Sequence, residues 1–223
     1  MKRLTLFLVL LPIIALSQLS VDPYLGFHSS YMWRGYDLGN GFLATPGATL
    51  SVGDNLWFDA WTGINADYQE LDLTAAYYFE LNDGLGVEFG VVGYTYPGME
   101  DADASYEPFA RLYSYDFPME PSLVLARDIT LETTYLEIMG SQTLMEEGLG
   151  LELQLACGLY MWDGFTGLSH VQLGMAKEFT FMGLALSPGI DLVLVPQSFI
   201  DGNEAPEMNS SEFGLRLEIG LAE

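Results

Sequence analysis

Residues 149–159 read Leu149-Gly150-Leu151-Glu152-Leu153-Gln154-Leu155-Ala156-Cys157-Gly158-Leu159. Every odd position is apolar, while the even positions hold Gly, Glu, Gln, Ala and Gly. Side chains of an extended strand point alternately to opposite sides, so this segment is a strand with two chemically different faces. Wound into a helix, the same leucines would be spread around the whole circumference. Leu71-Asp72-Leu73-Thr74-Ala75-Ala76-Tyr77 and Phe213-Gly214-Leu215-Arg216-Leu217-Glu218-Ile219-Gly220-Leu221 repeat the pattern. Beyond the first 17 residues no run of 18 or more apolar residues occurs, which excludes a membrane protein built from helices.

Strand-like segments number twelve, over roughly 24–34, 45–53, 55–64, 70–80, 85–96, 105–115, 121–128, 134–142, 149–160, 168–179, 182–194 and 211–222. The seventh has an ambiguous phase, since either Val124 or Leu125 could point outward. Connectors after even-numbered strands are short: Gly53-Asp54-Asn55, Asn82-Asp83-Gly84, Asp116 to Glu120 and Thr143 to Gly148. Those after odd-numbered strands tend to be longer, as at Tyr36 to Ala44, Pro97 to Ala104 and Val195 to Ser210, with Ala66 to Gln69 a short exception. Short turns at one end and long loops at the other, on an even strand count, is the arrangement of an outer-membrane barrel. The expected fold is all-β: a closed antiparallel transmembrane β-barrel of about 12 strands.

The first residues belong to a different kind of segment. Met1-Lys2-Arg3 is basic, Leu4 to Leu16 is apolar apart from Pro12, and Ala15-Leu16-Ser17 places small residues where a signal peptidase reads. A signal peptide over 1–17 is expected, with the barrel over 18–223. An uncleaved anchor is the weaker reading, because the apolar core is shorter than the roughly 20 residues that span a bilayer.

Alternation alone leaves open which face looks inward. A soluble barrel buries its apolar face, and a membrane barrel turns it to lipid. Here the polar face carries Gly, Ala, Ser and Tyr beside its acids, where a soluble surface would mix Lys with Glu. Five bases follow the leader (Arg34, Arg111, Arg127, Lys177 and Arg216), against 31 acids. Lys177 sits near a strand end, within reach of an interface. The apolar face is therefore expected against outer-membrane lipid of a Gram-negative bacterium, with the barrel-assembly machinery as a partner during insertion and a monomer as the default. Such acidity repels nucleic acid. The 50% hydrophobic content separates the chain from acidic disordered segments. Cys157, the lone cysteine, falls on the apolar face and reads as a small hydrophobe. His28 and His170 stand far apart without ligand spacing, so neither a metal site nor a cofactor is expected.

Ser29-Ser30-Tyr31-Met32-Trp33-Arg34-Gly35 resembles the Ser-Asp-Tyr-x-x-Arg-Gly signature of the TorF-like family of outer-membrane porins, with Ser30 in place of the family's Asp. Further pieces follow in the family's order: Pro46, Leu56-Trp57-Phe58-Asp59-Ala60-Trp61, Glu70 to Tyr77, Gly90 to Gly98, and Tyr106-Glu107. The likeness covers roughly 24–115; beyond it only generic strands are recognisable. Glu212-x-Gly214-x-x-Leu217-x-Ile219 is similar to the barrel-assembly signal, but Glu223 ends the chain where that signal carries an aromatic. The resemblance implies a porin without a defined substrate.

With the apolar face toward lipid, the opposite parity lines the lumen. The pore-lining candidates are Arg34, Asp59, Glu70, Asp72, Glu88, Glu107, Arg111 and Glu152, joined by Glu80, Glu137, Glu178, Asp191, Arg216 and Glu218. An arginine among so many acids is expected in bidentate pairs, Arg34 with Glu70 or Asp72 and Arg111 with Glu88 or Glu107. Tyr24, Tyr31, Trp33, Trp57, Tyr94, Tyr96, Tyr113, Tyr115, Tyr160 and Trp162 lie near predicted strand ends and are expected mostly as interface girdles. The expected function is passive diffusion of small solutes with a preference for cations. A structural or surface barrel with a plugged lumen is the alternative. A lipid-modifying enzyme is disfavoured: His28 and Ser30 share a strand face, adjacent Ser169 and His170 should point apart, and no third group or Gly-x-Ser-x-Gly elbow accompanies either pair. No catalytic residue is assigned.

Overall fold

The computed structural model describes residues 19–38, 41–66, 68–98, 103–144, 150–202 and 211–222. The expected signal peptide lies outside these residues. The wall strands are β1 (Leu19–His28), β4 (Leu43–Val52), β5 (Leu56–Ile64), β6 (Gln69–Asn82), β7 (Leu85–Thr95), β8 (Ser105–Ser114), β9 (Ser122–Asp128), β10 (Thr133–Leu144), β11 (Leu151–Trp162), β12 (Phe165–Lys177), β14 (Leu184–Leu194) and β15 (Ser211–Leu221). A short piece, β13 (Phe179–Phe181), resumes the line of β12 after a break at Glu178 and pairs with the start of β14. Sequential neighbours pair antiparallel throughout. β1 closes the ring on β15 through Leu25↔Ile219 to His28↔Arg216. The result is the closed twelve-stranded antiparallel barrel that the alternation predicts.

Parity decides the two faces as expected. On β9, Val124 is 5% exposed and Leu125 50%, which settles the phase of the seventh strand with Val124 inside. Outward residues form an apolar band that includes Leu73, Phe89, Ile138, Leu155, Leu173 and Leu215, while Glu70, Glu88, Glu107, Ser122 and Asp128 are buried inside. A soluble protein folded this way would hold its carboxylates in the core and its leucines in water. Only a lipid solvent makes the arrangement favourable. The start of β1, the end of β15 and the described short turns share one rim. The long connectors leave from the other, after His28, Thr95 and Leu194.

Two of those connectors turn into the barrel. The first strand was expected to run to Arg34, but β1 ends at His28. Ser29 is the reason: its backbone N–H donates to Leu215 O at 2.8 Å, and its side-chain oxygen accepts from Leu215 N–H at 2.8 Å. This closes the ladder, and the chain leaves the wall. It then forms a small hairpin, β2 (Met32–Trp33) against β3 (Tyr36–Asp37), tied at its base by Leu38 N–H to Tyr31 O at 3.0 Å. Arg34 (φ 53°) and Gly35 (φ 95°) form its tip, and positive φ at both central residues is the type I′ turn. A Cβ on Gly35 would lie 2.8 Å from Ser169 O and 3.1 Å from the Phe199 ring, so the tip is pressed against β12. From the other connector a single-turn helix, α1 (Gln197–Gly202), starts at Pro196, whose carbonyl accepts from Phe199 and Ile200. Phe199 is fully enclosed.

Candidate functional site: a partly filled lumen

The ring of strands sets its inward side chains around the hairpin. Arg34 sits at the tip, not on the wall. Its guanidinium makes a bidentate pair with Glu107, at 2.6 Å and 2.8 Å, and lies over the rings of Trp33 (4.5 Å) and Tyr135 (4.0 Å). Tyr94 donates to the same carboxylate at 2.9 Å. The partners expected for Arg34, Glu70 and Asp72, are therefore replaced by Glu107. The cause is the hairpin, which carries Arg34 off the wall and past β6 to Glu107 on β8, two strands along the ring. Planar guanidinium against carboxylate, with two aromatic faces beside it, leaves little of either charge unsatisfied.

The remaining candidates line β5 to β8. Asp59 accepts from Tyr24 at 2.9 Å and Thr49 at 2.7 Å. Glu88 accepts from Trp57 at 2.9 Å and Tyr113 at 3.3 Å, with Arg111 at 3.9 Å. Of the two partners expected for Arg111, it is thus Glu88 that stands beside it. Glu70 accepts from Tyr68. Burial, reinforced by that carboxylate, pushes the Tyr68 phenol above its usual range and keeps it a donor. Asp72 lies one turn of the pleat further in, with one carboxylate oxygen buried and without a hydrogen bond. Glu152 lies apart, on β11, and accepts from Gln154 at 3.0 Å. Glu80 and Glu178 are exposed, the first near the end of β6 and the second at the break after β12.

The aromatics correct another expectation. Tyr24, Trp57, Tyr94 and Tyr113 donate to lumen carboxylates or pack beside them, and Tyr31 stacks on Trp61 at 5.7 Å. Tyr160 and Trp162 join Phe165, Phe199 and Tyr36 in an aromatic cluster inside the β9–β12 side. These rings are interior furniture. The outward aromatics are others: Phe79, Phe117, Phe179 and Phe181 toward the turn rim, Phe42, Tyr106 and Phe213 toward the loop rim.

Ser169 and His170, expected on opposite faces, both point inward. Gly158 pairs with His170 and Leu159 with Leu168, so Ser169 is the extra residue of a β-bulge. Ser169 Oγ lies 3.1 Å from His170 Nδ1, and His170 Nε2 lies 3.6 Å from Glu137. The three form a serine–histidine–carboxylate chain, but Ser169 is 0% and His170 2% exposed beneath the Gly35 tip. As placed, the chain satisfies buried polar atoms.

On the side the hairpin leaves free, a cavity of about 100 Å³ runs between the hairpin base and the β14–β15–β1 wall. His28, Ser30, Gln172, Asp191, Arg216 and Glu218 contribute to its lining. Arg216 pairs with Asp191 at 3.1 Å, Gln172 donates to Asp191 at 3.3 Å, and His28 lies 3.4 Å from Glu218. Parity placed Asp191, Arg216 and Glu218 inward; that they share one cavity was not readable from it.

No protein-family model matches the chain, and no curated protein matches it in sequence. Solved structures with the same fold do exist. The KdgM porin in complex with disordered oligogalacturonate superposes with a TM-score of 0.62 at 8% identity, over 92% of this chain and 99% of that one. The NanC porin superposes with a TM-score of 0.55 at 11% identity, over 92% of this chain and 100% of that one. At such identities the likeness establishes the barrel architecture.

Proposed function

We propose that this chain is an outer-membrane porin for passive diffusion of small solutes, with a preference for cations. The observation that carries the reading is the inversion of faces: leucine and phenylalanine outside, carboxylates inside, on a closed ring with polar space beside its inward hairpin. Similarity of fold to two porins agrees with it. The TorF-like resemblance supports it too, because the residues that carry the signature build one specific object, the inward hairpin with Arg34-Gly35 at its tip. Cation preference follows from the surplus of lumen carboxylates over the three inward bases Arg34, Arg111 and Arg216, since carboxylate-lined passages attract cations at close quarters. The hairpin and α1 favour a second reading, a structural barrel whose lumen is shut.

Planar-bilayer recording separates the two. Ion steps with a reversal potential on the cation side are expected across a salt gradient, weakening as added salt screens the field. Purified barrels that insert but give no steps assign the protein to the closed class, and an anion-selective current overturns the charge argument. The mature chain should fractionate with outer membranes and migrate heat-modifiably. Recovery in the soluble periplasm would remove the membrane reading altogether.

A further inference from the structure

The acids of the lumen do not share one environment. On the β7–β8 wall, where the hairpin docks, the side chains of Glu88 and Glu107 are 5% and 4% exposed, and Glu70 on the adjoining β6 is buried. Across the lumen the Glu218 side chain is 41% exposed. Several ties draw the hairpin segment toward the β5–β8 side: the Arg34–Glu107 pair on β8, the Trp33–Tyr94 contact at 5.8 Å on β7 and the Tyr31–Trp61 stack on β5. No comparable ion pair holds it to β14 or β15 among the described residues. Space therefore persists on that side, and Ser30, whose hydroxyl is buried without a hydrogen bond, faces it from the hairpin base.

Given the porin reading, we infer that solutes pass through the cleft between the hairpin and the β14–β15–β1 wall, and that Asp191, Arg216 and Glu218 are its filter. The lining spans Glu212 to Glu218 on β15, six residue steps and so about 20 Å of strand. That is more than half the depth of a bilayer core of roughly 30 Å. A cation entering at the loop rim meets Glu212 first. It then passes the Arg216 guanidinium, which Asp191 holds against the wall at 3.1 Å, and reaches Glu218. Three carboxylates and one guanidinium give the cleft a net negative lining. The fixed arginine opposes a second negative group, so anionic solutes would pair with Arg216 only by displacing Asp191. Small monovalent and organic cations are the class this lining passes best. Of the acids of β6 to β8, Glu107 holds the hairpin while Glu88 and Glu70 accept hydrogen bonds from wall and loop side chains, so the part of the lumen's carboxylate surplus that selects is the part lining the cleft.

Cysteine accessibility tests the path. In a Cys157→Ala background, Gln172→Cys and Ser30→Cys place a thiol on the two sides of the cleft, and Asp72→Cys places one on the acid-lined wall. Single barrels are recorded in planar bilayers before and after a cationic methanethiosulfonate reagent. Current should fall several-fold at Gln172→Cys and Ser30→Cys and stay unchanged at Asp72→Cys. Separately, Glu218→Gln should move the reversal potential toward zero, while Glu70→Gln leaves it in place. Block at Asp72→Cys without block at the two cleft positions overturns the path while leaving the porin reading intact. A wild-type barrel that never conducts overturns the porin reading, and the path with it. Heat-modifiable migration of each variant identifies any that fails to fold, and either cleft thiol suffices for the test.

Discussion

The interior holds the inward connectors in two contrasting ways. On the β9–β12 side, Val124, Ala126, Tyr135, Tyr160 and Phe199 form a dry apolar cluster into which Met32 and Tyr36 of the hairpin pack. On the β7–β8 side, the same hairpin is held by one guanidinium, one carboxylate and the rings around them. The first is non-directional and tolerates small shifts. The second works only in register, because a buried charge that loses its partner costs far more than the pair contributes. Together they show that a lumen lined by strands of a single parity rule can contain both a soluble-protein core and an ionic clamp. Parity reports which residues face inward, and the connectors decide what they face.

The largest expected effects break each side in turn. Arg34→Ala leaves the Glu107 carboxylate buried and unpaired, and should lower stability by about 3–5 kcal/mol. Phe199→Ala opens a cavity in the apolar cluster, with a similar cost of about 3–5 kcal/mol. Both are read by denaturant unfolding of the barrel in vesicles. The contrast lies in the rescue: Arg34→Met with Glu107→Leu should recover most of the loss, whereas no polar pair restores Phe199. A double variant as unstable as Arg34→Ala would mean that the clamp acts through shape and not through charge.

The lipid face supplies an intermediate scale. Leu155→Arg places a cation against hydrocarbon and should cost roughly 2–4 kcal/mol, while Gln154→Arg, one residue away and turned inward, should cost less. Equal losses would contradict the inversion of faces. The smallest effect sharpens the contrast at the hairpin tip. Gly35→Ala forces an L side chain into positive φ, at about 1–2 kcal/mol, beside the Ser169 carbonyl at 2.8 Å. Stability unchanged by Gly35→Ala would show that the tip is not pressed against β12.

Much of this was legible in the sequence, for a definable reason. Wherever a strand is half lipid-facing, its period of two is forced on the chain, and every wall strand but the first, expected over 24–34 and found at Leu19–His28, emerges within a few residues of its expected bounds. The aromatics were misjudged although the signal existed: Trp57 shares parity with Asp59, and Tyr94 reaches Glu107 from the neighbouring strand, so phase rather than nearness to a strand end identified them as inward. Arg34 was different. Its placement depends on Ser29 ending β1 against Leu215, a contact between residues 186 positions apart that no local pattern announces. The bulge at Ser169 is likewise set by pairing with β11 and leaves no mark on the order of residues.

That contact at Ser29 has a kinetic consequence. Leu215 belongs to the last strand and Ser29 follows the first, and these two strands form the seam that completes the cylinder. Bringing the ends of so long a chain together carries a large loop-closure entropy and delays the step. Because the residue that clasps the seam is also the one that sends the chain inward, zipping up the cylinder and seating the hairpin become a single late event. An unfinished barrel would thus remain both open at the side and empty, and completion would confer the watertight wall and the restricted passage at once.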